Sequence, residues 1–259
     1  MKFNGFSKLA LALALTATQV LAQAGTISFN TSTCQSGPGA SNKLTCAQNV
    51  SGVNYSATMS GWSAQSGSDF AKASMVYYSN SGVGITSPRE STVSPNHAMD
   101  NNGATEAILV NFNSSDFALN QLTIGWMYGD ADVSILRYTG TQAPDLGSRT
   151  VADLKNAAGW DWVGDYSTMT TSGPLNFNNT GTAKTAAWWL ISAYDASYSG
   201  KAPTGGLTSG NDYFKLSGFG GSIVVPPTTT TTVPEPGTFA LSAIALLGFA
   251  AARRKSKAK

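Results

Sequence analysis

Charge is scarce in this 259-residue chain: Asp, Glu, Lys and Arg together make up 12% of it, alongside one histidine and two cysteines. Two thiols and one imidazole cannot close a zinc site of the usual Cys and His type. No G-x-S-x-G elbow is present, so nothing in the sequence marks the sharp strand-to-helix turn that presents a nucleophilic serine. Long apolar runs are missing too. The run from Phe239 to Ala252 covers about 14 residues, where a spanning helix ordinarily takes roughly 20.

Basic residues are scarce in the body because they collect at the ends. Between Gly25 and Gly237 stand nine Lys and Arg against fourteen Asp and Glu, a net charge of −5. A body with that balance has no basic patch to neutralise phosphates, which excludes nucleic acid as a partner.

Residues 1–24 have the order of a signal peptide. Lys2 and Lys8 supply the positive head, Leu9 to Ala17 the apolar middle, and Ala22 and Ala24 the small residues that signal peptidase prefers. Cleavage is expected after Ala24. At the other end, residues 233–259 read "VPEPGTFALSAIALLGFAAARRKSKAK". Pro234 and Pro236 hold Glu235 in an extended segment, the shape a peptidase groove reads. Phe239 to Ala252 is then a short transmembrane helix for transient inner-membrane insertion. Arg253, Arg254 and Lys255 stop it on the cytoplasmic side, which leaves the body outside. Residues 225–232, rich in Pro and Thr, form a stalk-like linker.

A Pro-Glu-Pro motif, an apolar helix and a basic stop in that order resemble the PEP-CTERM sorting signal of Gram-negative bacteria. The resemblance implies that an exosortase in the inner membrane cuts near the motif and passes the protein onward.

The intervening residues 25–224 alternate in the manner of strands. "VNYSATMSGW" places Val53, Tyr55, Ala57 and Met59 on one face, and "ASMVYYS", "EAILVNF", "QLTIGWMY", "DVSILRYTG", "WDWVGDY", "AAWWLISAY" and "DYFKLSGFGG" read similarly. So many short strands predict an all-β fold, a single β-sandwich or jelly roll. One short helix is expected in "TVADLKNAAG", with Thr150 as cap, Asp153 completing a capping box and Gly159 as stop. Cys34 and Cys46, twelve apart, are expected to form a disulfide in an oxidising compartment.

Chemistry-bearing residues are few. His97 with Asp100 and a serine is the only triad the chain offers, but both sit in the turn-forming stretch "SPNHAMDN". Glu90 and Glu106 are the only glutamates outside the sorting motif, and with Asp130, Asp132, Asp161 and Asp165 they are the acids from which a glycoside hydrolase would take its pair. Asp130 and Asp132, two apart, point the same way in extended chain and are the candidate Ca²⁺ ligands, with Asp145 or Asp165 nearby. Trp160 and Trp162 share a face and are candidate sugar platforms, whereas one of Trp188 and Trp189 must enter the core.

"SPNHAMDNNGATEAILVNF", "LTIGWMYGDADVSILRYTG", "GWDWVGDY" and "NDYFKLSGFGG" resemble the exosortase-dependent surface proteins. That likeness implies an exported surface protein and carries over no catalytic residue. His97, Asp100, Trp126, Asp130, Asp132, Arg137 and Tyr138 match its pattern as structural or ligand positions. The expectation is a surface or matrix protein without catalysis or cofactor, associated with exopolysaccharide in a biofilm. Its partners are signal peptidase and exosortase during export. A carbohydrate-binding module, Ca²⁺-assisted or not, and a secreted hydrolase are the alternatives.

Overall fold

A computed structural model describes residues 25–36, 41–88, 90, 95 and 97–224. The expected signal peptide (residues 1–24), the expected linker 225–232, Pro234, Glu235 and Pro236, the apolar run and Arg253, Arg254 and Lys255 lie outside the described residues. Among the described residues, no helix is long and apolar enough to cross a membrane.

Alternating apolar and small polar residues build two antiparallel sheets, and each predicted stretch carries a strand. A seven-stranded sheet holds β1 (Ile27–Asn30), β6 (Ser74–Tyr78), β7 (Gly82–Thr86), β8 (Met99–Asp100), β10 (Phe117–Met127), β13 (Leu175–Asn176) and β15 (Tyr213–Ile223). An eight-stranded sheet holds β2 (Gln35–Ser36), β3 (Lys43–Val50), β4 (Val53–Gln65), β5 (Ala71–Lys72), β9 (Ala104–Asn111), β11 (Val133–Tyr138), β12 (Trp160–Tyr166) and β14 (Trp188–Ala193). The spine of the first runs β13-β10-β15-β7-β6, and that of the second β12-β11-β14-β9-β4-β3-β2. The all-β sandwich expected from periodicity is present.

The main core lies between the sheets and joins Phe29, Met59, Ile85, Ile108, Phe117, Trp189, Ile191, Phe214 and Phe219. A second apolar layer covers the opposite face of the larger sheet. It consists of Ala107, Leu109, Leu136 and Leu190 from the strands, overlaid by Leu146, Tyr198 and α1 (Val151–Leu154), which contributes Val151 and Leu154. Its presence explains why "AILV" in β9 is an unbroken apolar run: Ile108 and Val110 enter one layer, Ala107 and Leu109 the other. Trp188 and Trp189 divide as strand geometry requires, Trp189 into the core and Trp188 against the outer layer.

The capping box of Thr150 and Asp153 forms as expected. The helix itself ends at Leu154, well short of Gly159, because Val151 and Leu154 are the only residues of that turn that bury. Cys34 and Cys46 are bridged and tie the turn after β1 to β3. Closing so short a loop stabilises the fold by about 3 kcal/mol on the chain-entropy model. At Gly84 on β7 the backbone of the next segment passes so close that a Cβ would overlap the His97 carbonyl oxygen.

Candidate functional site

The fold gathers two groups of acids, each with two buried members. Glu106 is in phase with Ile108 and Val110, so period-two alternation turns it toward the interior, where it is 1% exposed. There the Ser87 hydroxyl donates to its Oε1 at 2.5 Å and the Asp100 N–H to its Oε2 at 3.2 Å. Glu90 accepts the N–H groups of Ser87 and His97 at 2.9 and 3.2 Å. Asp100, 4% exposed, accepts the Asn102 N–H on Oδ1 at 3.0 Å. Glu90, Asp100 and Glu106, with Gln65, Ser87 and Asn102, line a cavity of about 160 Å³. Burial drives both interior acids up, Asp100 to about 7 and Glu106 well above the usual carboxylate range. The charges of Asp100 on Glu106, and of Glu90 on both, add to the rise.

The second group contains Asp130, Asp132 and Asp212, whose ligand atoms lie within 4.8 Å of one another. It is the one such group among the described residues that could hold a metal ion. Asp130 and Asp132 precede β11, and Asp212 precedes β15. An isolated bridge between Asp130 and Asp212 brings the two segments together. Asp132 accepts the N–H groups of Thr168 and Thr208 at 2.7 and 2.8 Å, and so anchors two loops. Asp212 accepts the Asp132 N–H at 2.7 Å and is also bound by the Asn101 amide. Burial raises the carboxyl of Asp212 to about 7 and that of Asp132 in the same direction. The charges of Asp132 and Asp130 push Asp212 further, while the N–H donors oppose both rises. Asp145 and Asp165, the expected companions of Asp130 and Asp132, are occupied elsewhere. Asp145 binds Gly147 and Ser148, and Asp165 binds Ser134 and Trp162.

The triad candidates go to separate partners. His97 Nδ1 lies 2.8 Å from the Thr86 hydroxyl, and the Asp100 Oδ1 is held by Asn102. Trp160 and Trp162 are half-buried against the outer apolar layer. A bulge at Val163 lets Trp162 Nε1 donate to Asp165 at 3.1 Å, although the two are three residues apart. Lys201 Nζ lies 4.0 Å over the Trp162 ring. Across β12, β11 and β14, Trp160, Tyr138 and Trp188 form a row with ring centroids 5.2 and 6.3 Å apart. Arg137 pairs with Asp161 at 2.9 Å. On the other sheet, Lys215 lies under Trp126 and Tyr78, its Nζ 3.8 and 4.8 Å from the ring centroids.

Neither Asp212 nor the inward phase of Glu106 was read from the sequence. The Glu106 signal was present, because the residue opens the run "EAILV" two positions before Ile108. Asp212 offered none, since its partners are 80 and more residues away in the chain.

Residues 232–255 match the family model of the PEP-CTERM protein-sorting motif. The chain carries a PEP-CTERM sorting signal. That motif implies processing by an exosortase and sorting to the cell surface. It covers the tail alone, and no curated protein and no solved structure matches the chain.

Proposed function

We propose that this chain is a non-catalytic surface protein of a Gram-negative bacterium, a β-sandwich that an exosortase delivers into an exopolysaccharide-rich matrix. The observation that carries this reading is the PEP-CTERM motif at residues 232–255, placed after a β-rich domain. The absence of catalysis is supported by how the acids are used. Both oxygens of Glu106 and both of Asp132 accept hydrogen bonds that hold the fold. Replacing Pro234, Glu235 and Pro236 by alanine in the host is expected to leave the tail uncut and to reduce surface protein at least tenfold in cell fractionation. Unchanged processing and delivery would refute the sorting step.

The row of Trp160, Tyr138 and Trp188 favours a second reading, a carbohydrate-binding face. Aromatic rings spaced over three strands offer stacking surfaces to successive sugars, and the three clustered aspartates offer oxygens to Ca²⁺. On this reading, host polysaccharide changes the tryptophan fluorescence of the purified chain, and Tyr138→Ala weakens that response at least tenfold. A fluorescence signal indifferent to polysaccharide, with and without a chelator, removes it.

A further inference from the structure

We propose that the outer face of the larger sheet binds a single, uncharged, linear polysaccharide chain laid across its strands. This ligand class rests on the carbohydrate-binding reading and extends it beyond the three rings. Strand register sets Thr45, Thr58, Asn111, Trp188, Tyr138 and Trp160 side by side on β3, β4, β9, β14, β11 and β12. All six face away from the main core. The adjacent Cys46, Met59, Val110 and Trp189 enter that core, while Tyr138 and Trp160 are in phase with Leu136 and Trp162 of the outer layer. Thr45 is exposed and the other five are half-buried. With strands about 4.8 Å apart, the row runs roughly 24 Å, room for several sugars.

The donors of the row are unspent. The Thr45, Thr58 and Tyr138 hydroxyls and the indole N–H groups of Trp160 and Trp188 donate to no acceptor among the described residues. The same holds for the NH₂ group of Asn111, whose oxygen accepts the Asn113 N–H. Trp62, Trp162 and Trp189, by contrast, donate to Ser60, Asp165 and the Ala186 carbonyl. Sugar hydroxyls supply acceptors for such donors, and the apolar faces of sugar rings stack on aromatic ones. Tyr138 is held in place, because a Cβ at Gly140 or Gly159 would overlap its ring. A ring already fixed loses little freedom on binding.

Charge and ring geometry narrow the ligand. The row holds no charged side chain. Of the cations nearby, Arg137 and Lys184 pair with Asp161, and Lys201 lies over the Trp162 ring. Lys43 stands beside Thr45 at the far end, in a body of net charge −5 that repels polyanions. Trp160 and Trp188 are tilted from Tyr138 by 51° and 73°. Rings so tilted meet a chain whose successive sugars turn, and not the flat surface of a crystalline polymer.

The test is calorimetric titration of the purified full chain with cellohexaose, laminarihexaose, mannohexaose, their disaccharides and hexagalacturonate. At least one neutral hexaose is expected to bind, and its disaccharide and hexagalacturonate at least tenfold more weakly. Thr58→Ala combined with Asn111→Ala should weaken that hexaose at least tenfold with an unchanged circular dichroism spectrum. Hexagalacturonate bound as tightly as the neutral hexaose, a disaccharide bound as tightly as its hexaose, or a folded double variant with full affinity overturns this ligand class and leaves the carbohydrate-binding reading standing. Retention on microcrystalline cellulose with no soluble hexaose bound does the same. Silence toward every sugar, host polysaccharide included, removes both, as does a dimer that Tyr138→Ala dissociates and no sugar affects. The wild-type comparison of neutral, acidic and shorter sugars decides the matter even if the double variant fails to fold.

Discussion

Trp189→Ala is expected to cost about 3–5 kcal/mol of stability, the largest loss foreseen for any single substitution in the sandwich. Trp189 is fully buried on β14, and its Nε1 donates to the Ala186 carbonyl at 3.0 Å. Truncation removes the largest fully buried side chain of the core, leaves a cavity between two sheets that cannot collapse onto it, and orphans a carbonyl. With a domain stability of roughly 5–15 kcal/mol, that loss is between about a fifth and the whole of the folding free energy. Its melting temperature should fall by roughly 6–20 °C at 2–4 °C per kcal/mol. Trp188→Ala, next to it but half-buried in the outer layer, should lose less than half as much. Urea unfolding followed by circular dichroism measures both. Equal losses would mean that the two rings do not divide between faces.

The second large effect is a fall in stability as pH rises. Asp100 and Asp212 are each raised from an ordinary 3.8 to about 7, and Glu106 rises in the same direction. A carboxyl whose folded value exceeds its unfolded value binds its proton more tightly in the native state. The associated stability is fully present below about pH 4 and is lost as pH climbs through about 7. A shift of that size corresponds to a ceiling of about 4 kcal/mol per group. Relaxation and proton sharing between neighbouring acids reduce the sum. The melting temperature should therefore be higher at pH 5 than at pH 8 by at least about 5 °C. Asp100→Asn, neutral at both values, should flatten the slope and raise stability at pH 8. A thermal scan series that shows a flat or rising profile would contradict buried, protonated acids at this end of the sandwich.

Much of the architecture was legible because strand periodicity is a local property. Val53, Tyr55, Ala57 and Met59 lie in β4, and the Thr150 and Asp153 box caps α1, because each depends on residues within a few positions. What the chain did not disclose depends on pairing at a distance. β4, β9, β14 and β11 lie side by side although they are far from consecutive, and no local pattern orders them. The second apolar layer was hidden for a related reason: an unbroken run such as "AILV" is compatible with several environments until its covering helix is placed. The Asp130 and Asp132 pair was visible as a motif, whereas Asp212 became its third member only through an isolated bridge between distant segments.

Exosortase sorting is tested most directly by the intact mass of the protein recovered from the surface of its host. Cleavage at the PEP-CTERM motif predicts a chain that ends close to Pro236 and lacks Arg253, Arg254, Lys255 and the residues after them, and removal of the expected signal peptide would make it begin at Gly25. A surface-recovered mass that still includes Lys259 would contradict exosortase processing.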